Sequence, residues 1–202
     1  MKGSLFSLAV GAICACLYAA QSRNEARFVE TLTVDELLLD RLFVNDGRYA
    51  GFAKPKGDIV EFFDYECPPC REESQRLKAG LLDLNKREIT LLLRHFPLPI
   101  HKSARDLAER VETTVDPETF LARHFEVMDS GLRISGENNP ERSRQDAPNR
   151  AIATSRVLRD ESLAKGIGLS STPSYIVRAS PSTVRVFHSL AEAIQSLSVE
   201  KY

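Results

Sequence analysis

The sequence lacks most of what would assign it to a specialised class. It has no tryptophan, no internal repeat and no low-complexity tract. Lysine plus arginine (27) and aspartate plus glutamate (28) nearly cancel, leaving a net charge of −1. That balance removes the usual basis for nucleic-acid binding or for electrostatic adhesion to a membrane surface. Four cysteines in 202 residues are too few for a stapled framework, which needs several spread-out pairs. None of the four histidines sits at metal-ligand spacing. The remaining composition is ordinary for a globular protein, 43% hydrophobic and 27% charged. A chain of this length builds one good-sized domain, with room for an inserted subdomain.

The cysteines divide by place. Cys14 and Cys16 lie in a segment that opens with Lys2 and stays uncharged from Gly3 to Ser22. A short basic start and an apolar core are the marks of a secretory signal, so residues 1–22 read as a signal peptide. Cleavage after Ala20 or after Ser22 fits. The stretch is also long enough to stay as a membrane anchor, and Cys16 leaves a lipoprotein reading open. Each version sends the body out of the cytoplasm, to the periplasm. Losing Lys2 with the leader takes the net charge to −2. The exported body then keeps Cys67 and Cys70 alone. Zinc takes about four ligands, and no second cysteine pair is there to supply them. A bridge across so short a loop restricts the unfolded chain very little. The pair therefore points to chemistry rather than to stapling.

Residues Ile59 to Tyr65 are largely apolar and aromatic and read as a buried strand. The segment from Arg71 to Leu82 reads as a helix, so Cys67 stands where a strand hands over to a helix N-terminus. Upstream, Thr33-Val-Asp-Glu36 has the form of a capping box. It predicts a helix to about Asn45, with Val34, Leu37, Leu38 and Leu42 on one stripe. Residues 46 to 57 read as a loop. Glu88 to Phe96 is a second buried strand, completing a βαβ unit.

Beyond it, helical patterns alternate with polar connections. One helix covers Lys102 to Thr114, and another starts at the Asp116 N-cap with Pro117 and runs to about Asp129. A polar loop covers Arg133 to Asn149, and a third helix Ala151 to Lys165. Ser174 to Arg178 and Thr183 to His188 form a hairpin, and Ser189-Leu-Ala-Glu192 caps a last helix to about Leu197. This order predicts an α/β protein with a thioredoxin-like fold and a helical insertion between the βαβ and ββα halves. The boundaries are 1–22 for the leader and 23–57 for an N-terminal helix and lead-in. The thioredoxin-like domain takes 58–100 and 166–202, with the insertion at 101–165.

A thiolate, not a thiol, attacks a disulfide, so such a site must lower a cysteine pKa from about 8.5. A helix N-terminus does this through its unpaired N–H groups and partial positive charge. Pro68 suits the first helical position, where no N–H is needed. Cys67 is then the exposed nucleophile, and Cys70, one turn on, the buried resolving thiol that closes a redox-active disulfide.

Three separated segments carry a likeness. They are Val-Glu-Phe-Phe-Asp-Tyr-Glu-Cys-Pro-Pro-Cys (60–70), Arg-His-Phe-Pro-Leu (94–98) and Gly-Ile-Gly-Leu-Ser-Ser-Thr-Pro-Ser-Tyr (166–175). In this order and spacing the chain resembles the DsbA-like family of exported thiol–disulfide oxidoreductases, within the thioredoxin superfamily. The resemblance implies that Thr172-Pro173 is a cis-proline loop facing the redox pair and holding a substrate backbone. It also implies that Glu61 is the buried acid beneath the pair, with a raised pKa suited to relaying a proton for Cys70. The residues alone also allow Glu61 to sit at a sheet edge and Pro173 to be an ordinary trans turn proline. One departure stands out: family oxidants commonly carry a histidine between the cysteines, where this chain has Pro68 and Pro69. Cys67 is therefore expected at a pKa of roughly 5–7, above the ~3.5 of the strongest oxidant. Glu66 opposes the thiolate and Arg71 favours it.

The expected function is an exported, periplasmic enzyme that exchanges disulfides with secreted protein thiols, as an oxidant. A membrane redox partner of the quinone-linked type would reoxidise it. Two other functions stay open on the residues: a disulfide reductase or isomerase running the other way, and a non-catalytic thioredoxin-fold binding protein. No cofactor and no metal is expected. His95, His101, His124 and His188 read as structural, with His101 and His124 in solvent. Leu37, Leu38, Leu42 and Phe43 read either as packing onto the domain or as an oligomer face on the N-terminal helix.

Overall fold

The computed structural model describes residues 30–114, 116–130 and 149–199. The leader of residues 1–22, with Cys14 and Cys16, lies outside them, as does nearly all of the polar loop expected at Arg133 to Asn149. Among the described residues, no helix is long and apolar enough to cross a membrane.

Among the described residues, six strands form one sheet. In chain order they are β1 (Glu30–Thr33), β2 (Tyr49–Gly51), β3 (Ile59–Phe63), β4 (Thr90–His95), β5 (Ser174–Ser180) and β6 (Thr183–Phe187). In space the order is β1-β6-β5-β3-β4-β2. β3 and β4 are parallel, with Ile59 opposite Leu91 and Phe63 opposite His95. The connection between them is helix α2 (Pro68–Lys86). β5 runs antiparallel along the other side of β3, placing Glu61 opposite Tyr175 and Phe62 opposite Ser174. The end of β3 and the start of β5 therefore meet at one rim of the sheet.

Every residue of β3 and β4 is buried, because helices cover both faces. The two-residue period assigns the faces. Ile59, Phe63, Leu91, Leu93, Tyr175, Val177 and Phe187 point one way, into a core shared with Leu77 and Leu84 of α2. The same core takes residues from α3 (Ala104–Glu112), α4 (Pro117–Ser130) and α6 (Leu190–Val199). Val60, Phe62, Leu92, Ile176, Val184 and Val186 point the other way, onto α1 (Glu36–Leu42) and Leu163 and Ala164 of α5 (Arg150–Gly166). With α3, α4 and α5 between β4 and β5, this is the α/β thioredoxin-like arrangement with intervening helices.

The N-terminal segment departs from expectation. Thr33 ends strand β1 instead of capping a helix, and Asp35 is the N-cap, its Oδ1 accepting from the N–H of Leu37 (3.0 Å) and Leu38 (3.2 Å). The apolar stripe turns accordingly. Leu39 and Leu42 are buried, and Leu37 is 76% exposed. Leu42 and Phe43 pack onto the domain core. The expected loop at 46–57 contains β2, which pairs antiparallel with β4. Gly51 allows that approach. It has φ +82°, and an added Cβ would lie 2.5 Å from the Ile89 carbonyl oxygen.

A buried ionic cluster ties the helices to the sheet. Arg48 reaches Glu112 of α3 and Asp160 of α5, both at 2.6 Å, and Asp46 at 2.7 Å. Arg94 on β4 meets Asp46 at 2.8 Å, and His95 Nε2 meets Glu112 Oε1 at 2.8 Å.

Candidate active site

Cys67 is the N-cap of α2, in extended conformation (φ −75°, ψ 116°), with Pro68 and Pro69 in the first helical turn. Its carbonyl accepts the first helical bond, from the Arg71 N–H at 3.3 Å. Its own N–H donates back to the Asp64 carbonyl at 3.2 Å. Cys67 and Cys70 are free thiols and both are buried: Cys67, expected to be exposed, is 5% exposed because the Thr172–Pro173 loop lies against it, and Cys70 is fully enclosed. Because β5 starts beside the end of β3, the residue before it lands against the redox pair. The Cys67 Sγ–H donates to the Thr172 carbonyl at 3.2 Å, and the Thr172–Pro173 bond is cis. The Thr172 hydroxyl is buried and has no partner among the described residues. Behind the loop, His188 Nδ1–H donates to the Pro173 carbonyl at 2.8 Å.

The two sulfurs separate in acidity. A hydrogen bond from Cys70 stabilises the Cys67 thiolate, and with the Thr172 side chain, whose hydroxyl is free to donate to it, outweighs burial and the Asp64 charge, lowering the pKa to about 6. Cys70 is pushed far up, by burial first and then by its bond to Cys67 and the negative charge there. One thiolate and one retained proton suit a nucleophile and its resolving partner.

Beneath them lies Glu61, 3% exposed, facing the core from the middle of β3. Burial raises its pKa to about 8, with the Glu73 charge adding to the rise and a hydrogen bond from Tyr175 opposing it. That bond runs from Tyr175 Oη–H to Glu61 Oε1 at 3.0 Å, between residues paired directly across two strands. Tyr175 was not among the residues expected at the site. Its signal was a tyrosine two residues after Pro173 in an apolar strand, where a buried hydroxyl needs a partner.

Asp64 organises the turn before Cys67. Its Oδ1 accepts from the Glu66 N–H (2.8 Å), and its Oδ2 from the Leu98 N–H and His101 Nδ1–H (both 2.7 Å). Glu66 does not simply face the thiolate, since its Oε2 accepts from the N–H groups of Ser103 (2.6 Å) and Ala104 (2.8 Å) at the start of α3. Arg71 Nε–H donates to the Met128 carbonyl at 3.2 Å.

The histidines correct the expectation that His101 and His124 are solvated. His124 is 1% exposed, packed among the rings of Phe63, Tyr65, Phe120 and Phe125. Burial drives its pKa down to about 3, so it is neutral. His101 is partly covered and its pKa is raised, first by the bond to Asp64. Both are fixed by aromatic packing or by a carboxylate from outside their own segments, which periodicity does not reveal.

No family model and no curated protein sequence matches the chain. Solved structures do. The thiol–disulfide exchange protein alpha-DsbA2 from Wolbachia pipientis is 17% identical, with a TM-score of 0.66 over 82% of this chain and 92% of that one. DsbA2 from Pseudomonas aeruginosa is 24% identical, with a TM-score of 0.58 over 77% and 96%. A periplasmic thioredoxin-like protein from Salmonella enterica serovar Typhimurium is 20% identical, with a TM-score of 0.55 over 73% and 87%. What the chain shares with these proteins is the DsbA-like version of the thioredoxin fold.

Proposed function

We propose that the chain is an exported thiol–disulfide oxidoreductase that oxidises secreted protein thiols in the periplasm. The observation that carries this is the geometry at Cys67. An acidic thiol caps a helix against the carbonyl before a cis proline, over a fully buried second thiol. The fold it shares with proteins described as thiol–disulfide exchange proteins supports the same reading. The leader-like residues 1–22 support export. The thioredoxin-like unit is 58–100 with 166–202, and 101–165 is the inserted helical part.

The cycle starts from the Cys67–Cys70 disulfide. A substrate thiolate attacks Cys67 Sγ, forming a mixed disulfide and releasing Cys70 as a thiolate. Glu61, protonated at neutral pH, gives Cys70 its proton. A second substrate thiolate attacks the substrate sulfur of the mixed disulfide, and Cys67 leaves as a thiolate, stable because of its low pKa. The substrate has lost two electrons and the enzyme has gained them. A membrane partner must remove them again. Thr172 and Pro173 present the backbone edge along which a substrate segment lies beside Cys67.

A reductase or isomerase uses the same steps in reverse. Pro68 and Pro69 bring no side-chain donor to the thiolate, which favours a less oxidising potential than a histidine there would give. Incubating the oxidised protein with a reduced two-cysteine peptide tests the chemistry. The wild type should form the peptide disulfide and Cys67→Ala should not, whereas Cys70→Ala, given the peptide in its disulfide form, should attack it with Cys67 and be trapped as the mixed disulfide. Equal peptide oxidation by Cys67→Ala and wild type would instead favour a binding protein.

A further inference from the structure

We infer that His101 is a positioning residue that places a positive charge beside the Cys67 thiolate. This rests on the thiol–disulfide reading above, and it assigns to a loop the task that Pro68 and Pro69 cannot perform from within the motif. The geometry is a relay through one residue. Asp64 accepts the Cys67 N–H on its backbone carbonyl (3.2 Å) and the His101 ring on its carboxylate (2.7 Å). The segment carrying His101 is held to the Cys67 turn at three further points, through Leu98, Ser103 and Ala104. Its ring is thus fixed with respect to the nucleophile, while an 18% exposed side chain leaves it open to protons from solvent.

Charge makes the need plain. Asp64 and Glu66 flank the nucleophile, and the Asp64 charge works against the Cys67 thiolate. The groups bearing on His101 are these two, with Cys67 itself, all from the turn between β3 and α2. Lys102 follows it in its own loop and is exposed. The pull on the imidazole proton comes chiefly from Asp64 and also from the Cys67 thiolate. Such coupling is reciprocal, so the imidazolium favours the thiolate as much as the thiolate favours the imidazolium. A paired Asp64–His101 cancels the carboxylate's charge and lets the helix N-terminus and Cys70 set the acidity of Cys67.

A purely structural His101 would only fasten the loop. His101→Asn separates the two roles, because its side-chain amide still donates to Asp64 but carries no charge. The Cys67 pKa, read from thiolate absorbance, should rise by about half to one unit in this variant. The equilibrium constant for oxidising glutathione should fall roughly threefold to tenfold. In the wild type, the His101 pKa followed by NMR should be higher in the reduced protein than in the disulfide form. That second measurement needs no variant and decides the matter should Asn disturb the loop. Equal His101 pKa values in both redox states, or an unchanged Cys67 pKa in a folded His101→Asn, would overturn the assignment. A wild-type Cys67 with an ordinary thiol pKa would be a different failure, that of the thiol–disulfide reading itself.

Discussion

Cys67 is acidic because three neighbouring groups stabilise its charged form at once: the Cys70 thiol, the Thr172 side chain and the Cys70 backbone N–H at the start of the helix it caps. Alkylation of the reduced protein should therefore show a rate rising with pH around a midpoint near 6. In Cys70→Ala, the midpoint should move up by roughly one unit or more, since the largest stabilising contact is gone. Glu61 has the opposite character, a buried carboxyl held protonated to about pH 8. Because its folded pKa is raised, the stability it allows is complete below about 4.5 and is lost as pH climbs to about 8. Urea midpoints of Glu61→Gln should thus overtake those of the wild type across that window. The same variant should slow the step that protonates Cys70 on the order of 10²-fold. In Tyr175→Phe, loss of the hydrogen bond should raise the Glu61 pKa further and shift that step's pH profile upward. The positions of Cys67 and Cys70 at a helix start were legible in the sequence from local pattern, whereas the place of Glu61 beneath them came from the resemblance, since an apolar strand alone also allows a sheet-edge carboxylate. Tyr175, Asp64 and His101 were not legible, because each acquires its partner from a segment far along the chain.

The elements that sequence reading recovered are those with a long, regular pattern. β3, β4 and the helices of the insertion carry apolar runs or helical periods that few residues interrupt. β1 and β2 lack them. β1 is a polar edge strand in which only Leu32 is partly covered, and β2 has three residues, shorter than any pattern can mark. The ionic cluster was equally hidden, since Arg48, Glu112 and Asp160 are far apart in sequence and look like surface charges there. It holds β4, α3 and α5 together and so sets where the insertion sits over the site. Replacing Arg48 with Met strands two buried carboxylates and should cost about 3–5 kcal/mol in urea unfolding. Arg48 and His95 hold Glu112 below the ordinary carboxylate range against burial, so the cluster stabilises above about pH 4.5. Acid should remove that contribution as pH falls below this value, and Arg48→Met should be less acid-sensitive than the wild type.

At the scale of the whole molecule, a parallel βαβ unit and an antiparallel hairpin converge at one rim of a single sheet. The first brings the two sulfurs and the second the cis-proline loop; Cys70 lies in the core to which α3 and α4 contribute, and Pro68 and Pro69 are exposed. Nothing in that architecture fixes which way the electrons run. The proposed role as an oxidant rests on the low Cys67 pKa, set against two prolines that offer no donor. The most direct test is to block free thiols in growing cells by rapid alkylation and read the state of Cys67 and Cys70. An oxidant should be found mostly as the Cys67–Cys70 disulfide, whereas a pool held mostly as the alkylated dithiol would contradict it.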